Sequence, residues 1–220
     1  MKTAIVIGAT GLIGSCLVRR LLENPAYSKV IVFVRKPTGL VHEKLSERMA
    51  DFTRMDTWRE EIKGDVLFSA LGTTLKTAGS KPAQWAVDYT CQLEAAKAAV
   101  DNGTDCLVLV SSAGASDRSL IFYSRMKGEL ERDIRKLPLP RIRILRPGIL
   151  EGKRKESRPT EETSVRAMKV LGRIPFLRKY RPYPDHVVAD AMIHAAEIPD
   201  PGCRVIELEQ IFQLAGTGSL

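Results

Sequence analysis

Residues 3–14 read TAIVIGATGLIG, a short apolar run that passes directly into three spaced glycines. The run lacks polar alternation, which predicts a strand buried on both faces. Gly8, Gly11 and Gly14 let a turn tighten, let the backbone approach a pyrophosphate and let the next helix pack closely on the strand. A nucleoside-triphosphate loop would need lysine after its last glycine, and Ser15 stands there. The stretch therefore predicts a dinucleotide site.

Apolar runs alternate with helical patterns along the rest of the chain, which predicts one α/β domain over residues 1–220. We expect a doubly wound (Rossmann) parallel sheet of about seven strands with helices on both faces. The predicted strands are 3–7, 30–34, 65–71, 106–110, 141–145 and 203–208, with a short one at 50–52. The predicted helices are 12–24, 84–103, 123–136, 164–172 and 185–197.

A polar segment, EGKRKESRPTEET at 151–163, follows the sixth apolar run. Its composition favours a solvated connector, because such segments usually lie on the surface. Its position after the carboxyl end of a strand favours a lid, because open α/β sheets bind ligands there. We expect a small substrate or lid portion from about 151 to 185.

The chain has a net charge of +8, so its surface should attract anions such as phosphorylated cofactors, nucleic acid or acidic lipids. Dispersed basic residues and few aromatics disfavour nucleic acid. No apolar run is long enough to span a membrane and the glycine-interrupted start is unlike a secretory signal, so we expect a soluble cytoplasmic protein. Histidines and cysteines are scattered without ligand spacing, so no metal site is predicted.

Arg35 and Lys36 end the second predicted strand, where an NAD-binding chain would carry an acid for the adenosine ribose. Two cations suit the ribose 2′-phosphate instead, so NADP(H) is favoured over NAD. The alternative is an exposed basic pair in a cationic protein. Asp51 either borders the adenine or caps a helix. Leu71 and Gly72, at the end of the fourth predicted strand, let the backbone pass close to the cofactor.

Tyr123 and Lys127 are four residues apart on a predicted helix, and Ser111 and Ser112 end the preceding strand. Together with GATGLIG, this arrangement resembles the active-site pattern of short-chain dehydrogenases/reductases. Carbonyl reduction needs a proton donor, and free tyrosine, with a pKa of about 10, is too weak an acid to cycle easily at neutral pH. A neighbouring ammonium favours the phenolate. We favour Ser112 over Ser111 because Ser112 lies further past the strand.

Four further segments resemble the atypical short-chain dehydrogenases of the HIV Tat-interacting-protein type: LGTTLKTAG, VDYT, SSAGASDRSLIFYSRMKGELE and RPGILEGKRKESRP. The resemblance implies cofactor contacts in the glycine turn, at the second strand end, after the fourth strand and near the nicotinamide. The contacts that the resemblance implies are Thr10, Gly11, Leu12, Ile13, Arg35, Lys36, Leu71, Gly72, Leu150 and Arg158. The predicted cofactor-binding set also includes Gly8, Gly14, Asp51, Tyr123 and Lys127. Asp88 occupies the position where many short-chain dehydrogenases carry the asparagine of a proton relay.

The leading prediction is an NADP(H)-dependent oxidoreductase that acts on a small carbonyl or alcohol as a monomer or homodimer. Ser112, Tyr123 and Lys127 would be its catalytic residues, with tyrosine as general acid or base. One alternative is an NADP(H)-sensing regulator that binds a protein partner, although such a sensor has no need of a proton donor. A sugar-nucleotide epimerase or dehydratase is disfavoured, because only about 60 residues follow the ESRP segment.

Overall fold

The computed structural model describes residues 1–151 and 182–216, and the elements below belong to that part of the chain. The strands are β1 Lys2–Ile7, β2 Tyr27–Val34, β3 Leu45–Met49, β4 Val66–Ser69, β5 Cys106–Val110, β6 Arg141–Arg146, β7 Leu150–Glu151, β8 Tyr183–Pro184 and β9 Gly202–Glu207. The helices are α1 Leu12–Glu23, α2 Leu75–Ala78, α3 Lys81–Trp85, α4 Cys91–Asp101, α5 Phe122–Ile134, α6 Asp185–Glu197 and α7 Glu209–Leu214. Short 3₁₀ helices lie at Met55–Thr57 and Arg59–Glu61, and a π turn at Ala86–Thr90 joins α3 to α4.

Seven parallel strands form the main sheet in the order β3-β2-β1-β4-β5-β6-β9. The short strands β7 and β8 pair separately. This arrangement confirms the predicted doubly wound parallel sheet with helices on both faces.

The central strands supply side chains to two hydrophobic cores, because successive residues of a strand point to opposite faces. In β1, Ala4 and Val6 belong to the core that includes residues of α1, α6 and α7. Ile5 and Ile7 belong to the core that includes residues of α4 and α5. This burial on both sides explains the unbroken apolar run of the sequence.

The strand order reverses between β1 and β4, since β2 and β3 extend to one side and β5, β6 and β9 to the other. Open α/β sheets bind their ligands in the crevice at the carboxyl ends of the strands beside such a reversal. The glycine turn after β1 and the segment Leu71–Gly72 after β4 are both at this point of the sheet.

The third strand differs from the prediction: it is Leu45–Met49, and the strand predicted at 50–52 is wrong. Among the described strands it lies at the sheet edge and pairs with β2 alone. Four of its five residues are half-buried and one is exposed. An edge strand can therefore have the polar sequence LSERM, and a strand with so few apolar residues cannot be recognised from an apolar run.

The predicted helix at 164–172 and most of the predicted lid portion, 151–185, lie outside the described residues. The two described ends of the predicted lid portion lie side by side, because Leu150 of β7 pairs with Tyr183 of β8 and Glu151 pairs with Pro184.

Candidate active site

The glycine turn after β1 has no room for side chains at Gly8 and Gly14. Its backbone is therefore suited to close contact with a pyrophosphate. Gly8 has φ +85°, and a Cβ built there would lie 2.5 Å from the Ala70 backbone. A Cβ on Gly14 would lie 2.1 Å from the Gly8 carbonyl oxygen. No side chain caps α1 at Gly11, and its first turn contains no acidic residue. The amides and positive dipole end of this helix are thus available to an anion.

The other predicted residues of the turn differ in burial. Thr10 and Gly11 are exposed, Leu12 is half-buried and Ile13 is buried. The backbone of the first three can be reached from outside, whereas the Ile13 side chain belongs to the hydrophobic core.

Arg35 and Lys36 lie directly after β2, and both are exposed. Neither forms an ion pair with any residue in the described ranges, 1–151 and 182–216. β1 and β2 are paired neighbours, so the two cations lie at the same edge of the sheet as the glycine turn.

Asp51 follows β3 and makes a local turn. Its Oδ1 accepts the Thr53 N–H at 2.9 Å and the Thr53 hydroxyl at 2.7 Å. These hydrogen bonds hold the pKa of the Asp51 carboxyl below its usual value. The Asp51 carboxylate thus stabilises a turn and caps no described helix, and its contact with adenine stays a prediction.

The segment after β4 connects the glycine turn to a buried carboxylate. Gly8 packs against Ala70 and Leu71, and Gly72 follows with an exposed backbone. A Cβ on Gly72 would lie 3.5 Å from Oδ1 of Asp88, which is fully buried in the π turn. Oδ2 of the same carboxylate accepts the Thr73 N–H at 2.9 Å.

Tyr123 and Lys127 extend this row of residues, because α5 places them one turn apart. The Lys127 ammonium is 3.3 Å from Asp88 Oδ1 and 6.0 Å from the centroid of the Tyr123 ring. Lys127 is 2% exposed and Tyr123 is 37% exposed. The ammonium thus lies inside the protein, while the phenol ring is open to solvent. A series of neighbours thus runs from Gly8 through the segment 70–72 to Asp88, Lys127 and Tyr123.

The two serines after β5 have different surroundings. Ser111 is buried, and its hydroxyl donates to Glu131 Oε1 at 2.6 Å. The same carboxylate oxygen accepts the Arg146 Nε at 2.8 Å. Ser112 is half-buried, and within residues 1–151 and 182–216 its hydroxyl makes one long hydrogen bond, of 3.3 Å, to the Ala113 carbonyl. Ser111 is therefore engaged in a structural cluster, and Ser112 has a hydroxyl that can turn toward a substrate.

Gly128 allows a loop next to the candidate site to pack against α5, and its role was not predicted from the sequence. A Cβ there would lie 2.2 Å from the backbone of Ser116 and Asp117. The loop between β5 and α5 therefore presses onto the helix, and the Ser116 N–H donates to the Ser124 carbonyl at 3.0 Å. A glycine directly after the lysine of the motif was the available sequence signal.

The remaining predicted contacts concern the nicotinamide side. Leu150 is half-buried in β7, after the carboxyl end of β6. Arg158 lies outside the described residues.

Comparison with known proteins identifies the family. A family model described as NAD(P)H-binding matches residues 8–172. The mitochondrial protein fmp52 of Aspergillus fumigatus is 39% identical over 168 residues, which are 73% of this chain and 72% of the relative. The mitochondrial FMP52 of Eremothecium gossypii is 33% identical over 217 residues, 96% of either chain.

Solved structures with under 25% identity share the fold. MoeE5 in complex with UDP-glucose and NAD has a TM-score of 0.70 at 18% identity, over 97% of this chain and 81% of the other. Bordetella bronchiseptica WbmH in complex with NAD⁺ has a TM-score of 0.71 at 16% identity, over 98% and 79%. The coarser part of the predicted resemblance, an NAD(P)-binding protein with a Rossmann-like fold, is therefore confirmed. The short-chain dehydrogenase class and the narrower Tat-interacting-protein type stay predictions.

The expected cytoplasmic location is wrong, because the relatives at 33–39% identity are named mitochondrial proteins. Among the described helices, none is long and apolar enough to cross a membrane. The glycine turn lies at the strand reversal, the family model matches residues 8–172, and fungal Fmp52 proteins are 33–39% identical, so the chain belongs to the NAD(P)H-binding family and is a relative of the Fmp52 proteins.

Proposed function

We propose that this protein is an NADP(H)-dependent oxidoreductase that acts on a small carbonyl or alcohol. The observation that supports this most is the series Gly72, Asp88, Lys127 and Tyr123, which joins the strand reversal to an exposed phenol. The protein's family is NAD(P)H-binding, and a proton donor next to such a site has a direct use in carbonyl chemistry.

The glycine turn and the first turn of α1 would hold the pyrophosphate of the cofactor. Leu71 and Gly72 would border its middle, and Leu150 its nicotinamide side. Arg35 and Lys36 would meet a ribose 2′-phosphate, which is why we propose NADP(H), although the solved structures named above contain NAD. When bound, the cofactor supplies the hydride chemistry.

Residues of the chain itself would transfer the proton and stabilise the reacting oxygen. Tyr123 would donate its hydroxyl proton to the carbonyl oxygen, or accept a proton from an alcohol in the reverse direction. Lys127 would provide positive charge next to the phenol, and Ser112 would donate a hydrogen bond to the substrate oxygen. The arrangement requires a substrate whose reacting oxygen can reach the Tyr123 hydroxyl.

The test is the oxidation of bound NADPH in the presence of a panel of carbonyl compounds, followed by absorbance. Oxidation with at least one compound, and much slower oxidation of NADH, supports the proposal. Oxidation with no compound, together with a protein partner retained only when NADPH is present, would favour the NADP(H)-sensing regulator.

A further inference from the structure

Asp88 serves two groups from different elements with one carboxylate. Oδ2 accepts the Thr73 N–H at 2.9 Å, and Oδ1 lies 3.3 Å from the Lys127 ammonium. Thr73 directly follows Gly72, the predicted cofactor neighbour, and Lys127 belongs to α5. The carboxylate thus connects the segment after β4 to the candidate catalytic lysine.

The backbone of Asp88 is held in place by hydrogen bonds to Gln92 and, through Gln92, to Ser69. Its carbonyl oxygen accepts the Gln92 amide nitrogen at 2.7 Å, and the Gln92 amide oxygen accepts the Ser69 hydroxyl at 2.7 Å. Ser69 is the last residue of β4, so the hydrogen bonds tie the π turn to the sheet. π turns within helices often occur at functional sites. The Asp88 carboxylate is therefore held at a set distance from the carboxyl end of β4.

The ion pair is enclosed in protein, since Asp88 and Lys127 are 0% and 2% exposed. A buried charge is costly without a partner, and among the described residues Asp88 is the only carboxylate within ion-pair distance of Lys127. Without the Asp88 charge, the buried ammonium would lower its free energy by moving toward water.

We propose, on the basis of the function proposed above, that Asp88 is a positioning residue that sets the Lys127 ammonium relative to the segment 71–73. A cofactor placed against that segment then meets an ammonium that is already in position. Asp88 touches neither cofactor nor substrate in this role, and it acts through Lys127 and the Thr73 amide.

The test is a double-mutant cycle of Asp88→Asn and Lys127→Met, with Glu131→Gln as the matched control. Glu131 is also a buried carboxylate in an ion pair, but its partners are arginines and Ser111. Folding of each variant is first verified by urea unfolding. NADPH affinity is then measured by fluorescence titration, and the exposure of Lys127 by amine labelling and mass spectrometry.

We expect Asp88→Asn to weaken NADPH binding about tenfold, the scale of one hydrogen bond to a charged group. In the Lys127→Met background the same change should alter NADPH affinity by less than about twofold. Lys127 should be labelled at least about fivefold faster in Asp88→Asn, on the reasoning that its ammonium has lost its counter-charge. Glu131→Gln should leave both readouts within about twofold of wild type.

Unchanged NADPH affinity in Asp88→Asn, or equal weakening with and without Lys127, would overturn the inference. If Asp88→Asn does not fold, the comparison of Lys127→Met with the double variant decides: equal affinity supports the inference, and weaker binding by the double variant overturns it. A wild-type protein that binds NADPH but reduces no carbonyl would defeat the proposed catalysis alone, because neither readout requires turnover.

Discussion

Single residues carry the chemistry of the candidate site, and the most informative ones are those with few partners inside the protein. Arg35 and Lys36 are exposed and form no ion pair within the described ranges, whereas Asp51 and Ser111 are engaged in hydrogen bonds and Lys127 in a buried ion pair. Side chains that the fold does not use are available to a ligand. This contrast separates the exposed candidate phosphate-binding residues from Asp51 and Ser111, whose polar groups are engaged within the fold.

Replacing Arg35 by glutamate should weaken NADPH binding at least about tenfold and leave NADH binding within about threefold, because only NADPH carries the 2′-phosphate. Titration of each cofactor by fluorescence measures both affinities. The control is Lys29→Glu, an exposed residue near the other end of β2, which should change neither. An unaltered preference in Arg35→Glu would refute the phosphate role.

The two serines should respond differently to alanine. Ser112→Ala should lower kcat by about a hundredfold with little change in stability, because its hydroxyl makes one long hydrogen bond within the protein. Ser111→Ala should lower the free energy of unfolding by about 1 kcal/mol, because it removes a hydrogen bond to the buried Glu131. Steady-state kinetics and urea unfolding distinguish the two, and the reverse pattern would make Ser111 the catalytic serine.

At the level of elements, β6 anchors the end of α6 through a buried arginine. Arg143 is 1% exposed, and its guanidinium donates to the carbonyls of Ile198 at 3.0 Å and Gly202 at 2.9 Å, and also to that of Asp200. Its charge is balanced by carbonyl dipoles, and burial lowers the pKa of this group. The residues between α6 and β9 are thereby fastened to the sheet.

Arg143→Met should lower the free energy of unfolding by about 3 kcal/mol, because several carbonyls lose a charged donor. Arg141→Met is the control, since Arg141 donates a single described hydrogen bond, to the Ala196 carbonyl at 3.0 Å. Its cost should be about 1 kcal/mol. Urea unfolding measures both, and equal costs would contradict the anchoring role of Arg143.

A second link between elements joins the π turn to α5. The Tyr89 hydroxyl donates to Asp133 Oδ2 at 2.8 Å, and burial together with this bond raises the pKa of Tyr89 to about 12. Hydrogen bonds from Arg132 and Lys136 hold the pKa of the Asp133 carboxyl well below its usual value. The contact therefore depends on an ionised carboxylate.

Because the pKa of Asp133 is lower in the folded state, its contribution to stability is present above the unfolded value of about 4 and disappears as the pH falls. Asp133→Asn should thus be less stable than wild type by up to about 1 kcal/mol at pH 7. The difference should shrink in urea unfolding below about pH 4. A difference that stays constant down to pH 3 would refute this link.

On the scale of the whole molecule, the parts of the fold that were predictable are those with local causes. The glycine turn and the central strands follow from spacing and apolar runs within a few residues, and both are found as expected. Strand β3 was not predicted at its true position, because an edge strand does not need an apolar run. The role of Arg143 could not be predicted either, because nothing in the segment RIRIL indicates that distant backbone carbonyls surround its guanidinium.

The candidate site was predictable only in part for a similar reason. Tyr123 and Lys127 are helix neighbours, so their sequence spacing already predicts that they share a face. The pairing of Lys127 with Asp88 joins distant parts of the chain, and the pressing of the loop onto Gly128 depends on tertiary packing. Such contacts arise only when the whole domain folds.

The central claim is that Tyr123 supplies the proton for hydride chemistry at the strand reversal. Single-turnover oxidation of bound NADPH by an accepted carbonyl tests it, with Tyr123→Phe compared to Tyr89→Phe, which removes a hydroxyl bound to Asp133 instead. We expect Tyr123→Phe to bind NADPH normally and oxidise it at least about a hundredfold more slowly, while Tyr89→Phe keeps the wild-type rate. Wild-type oxidation by Tyr123→Phe would contradict the account.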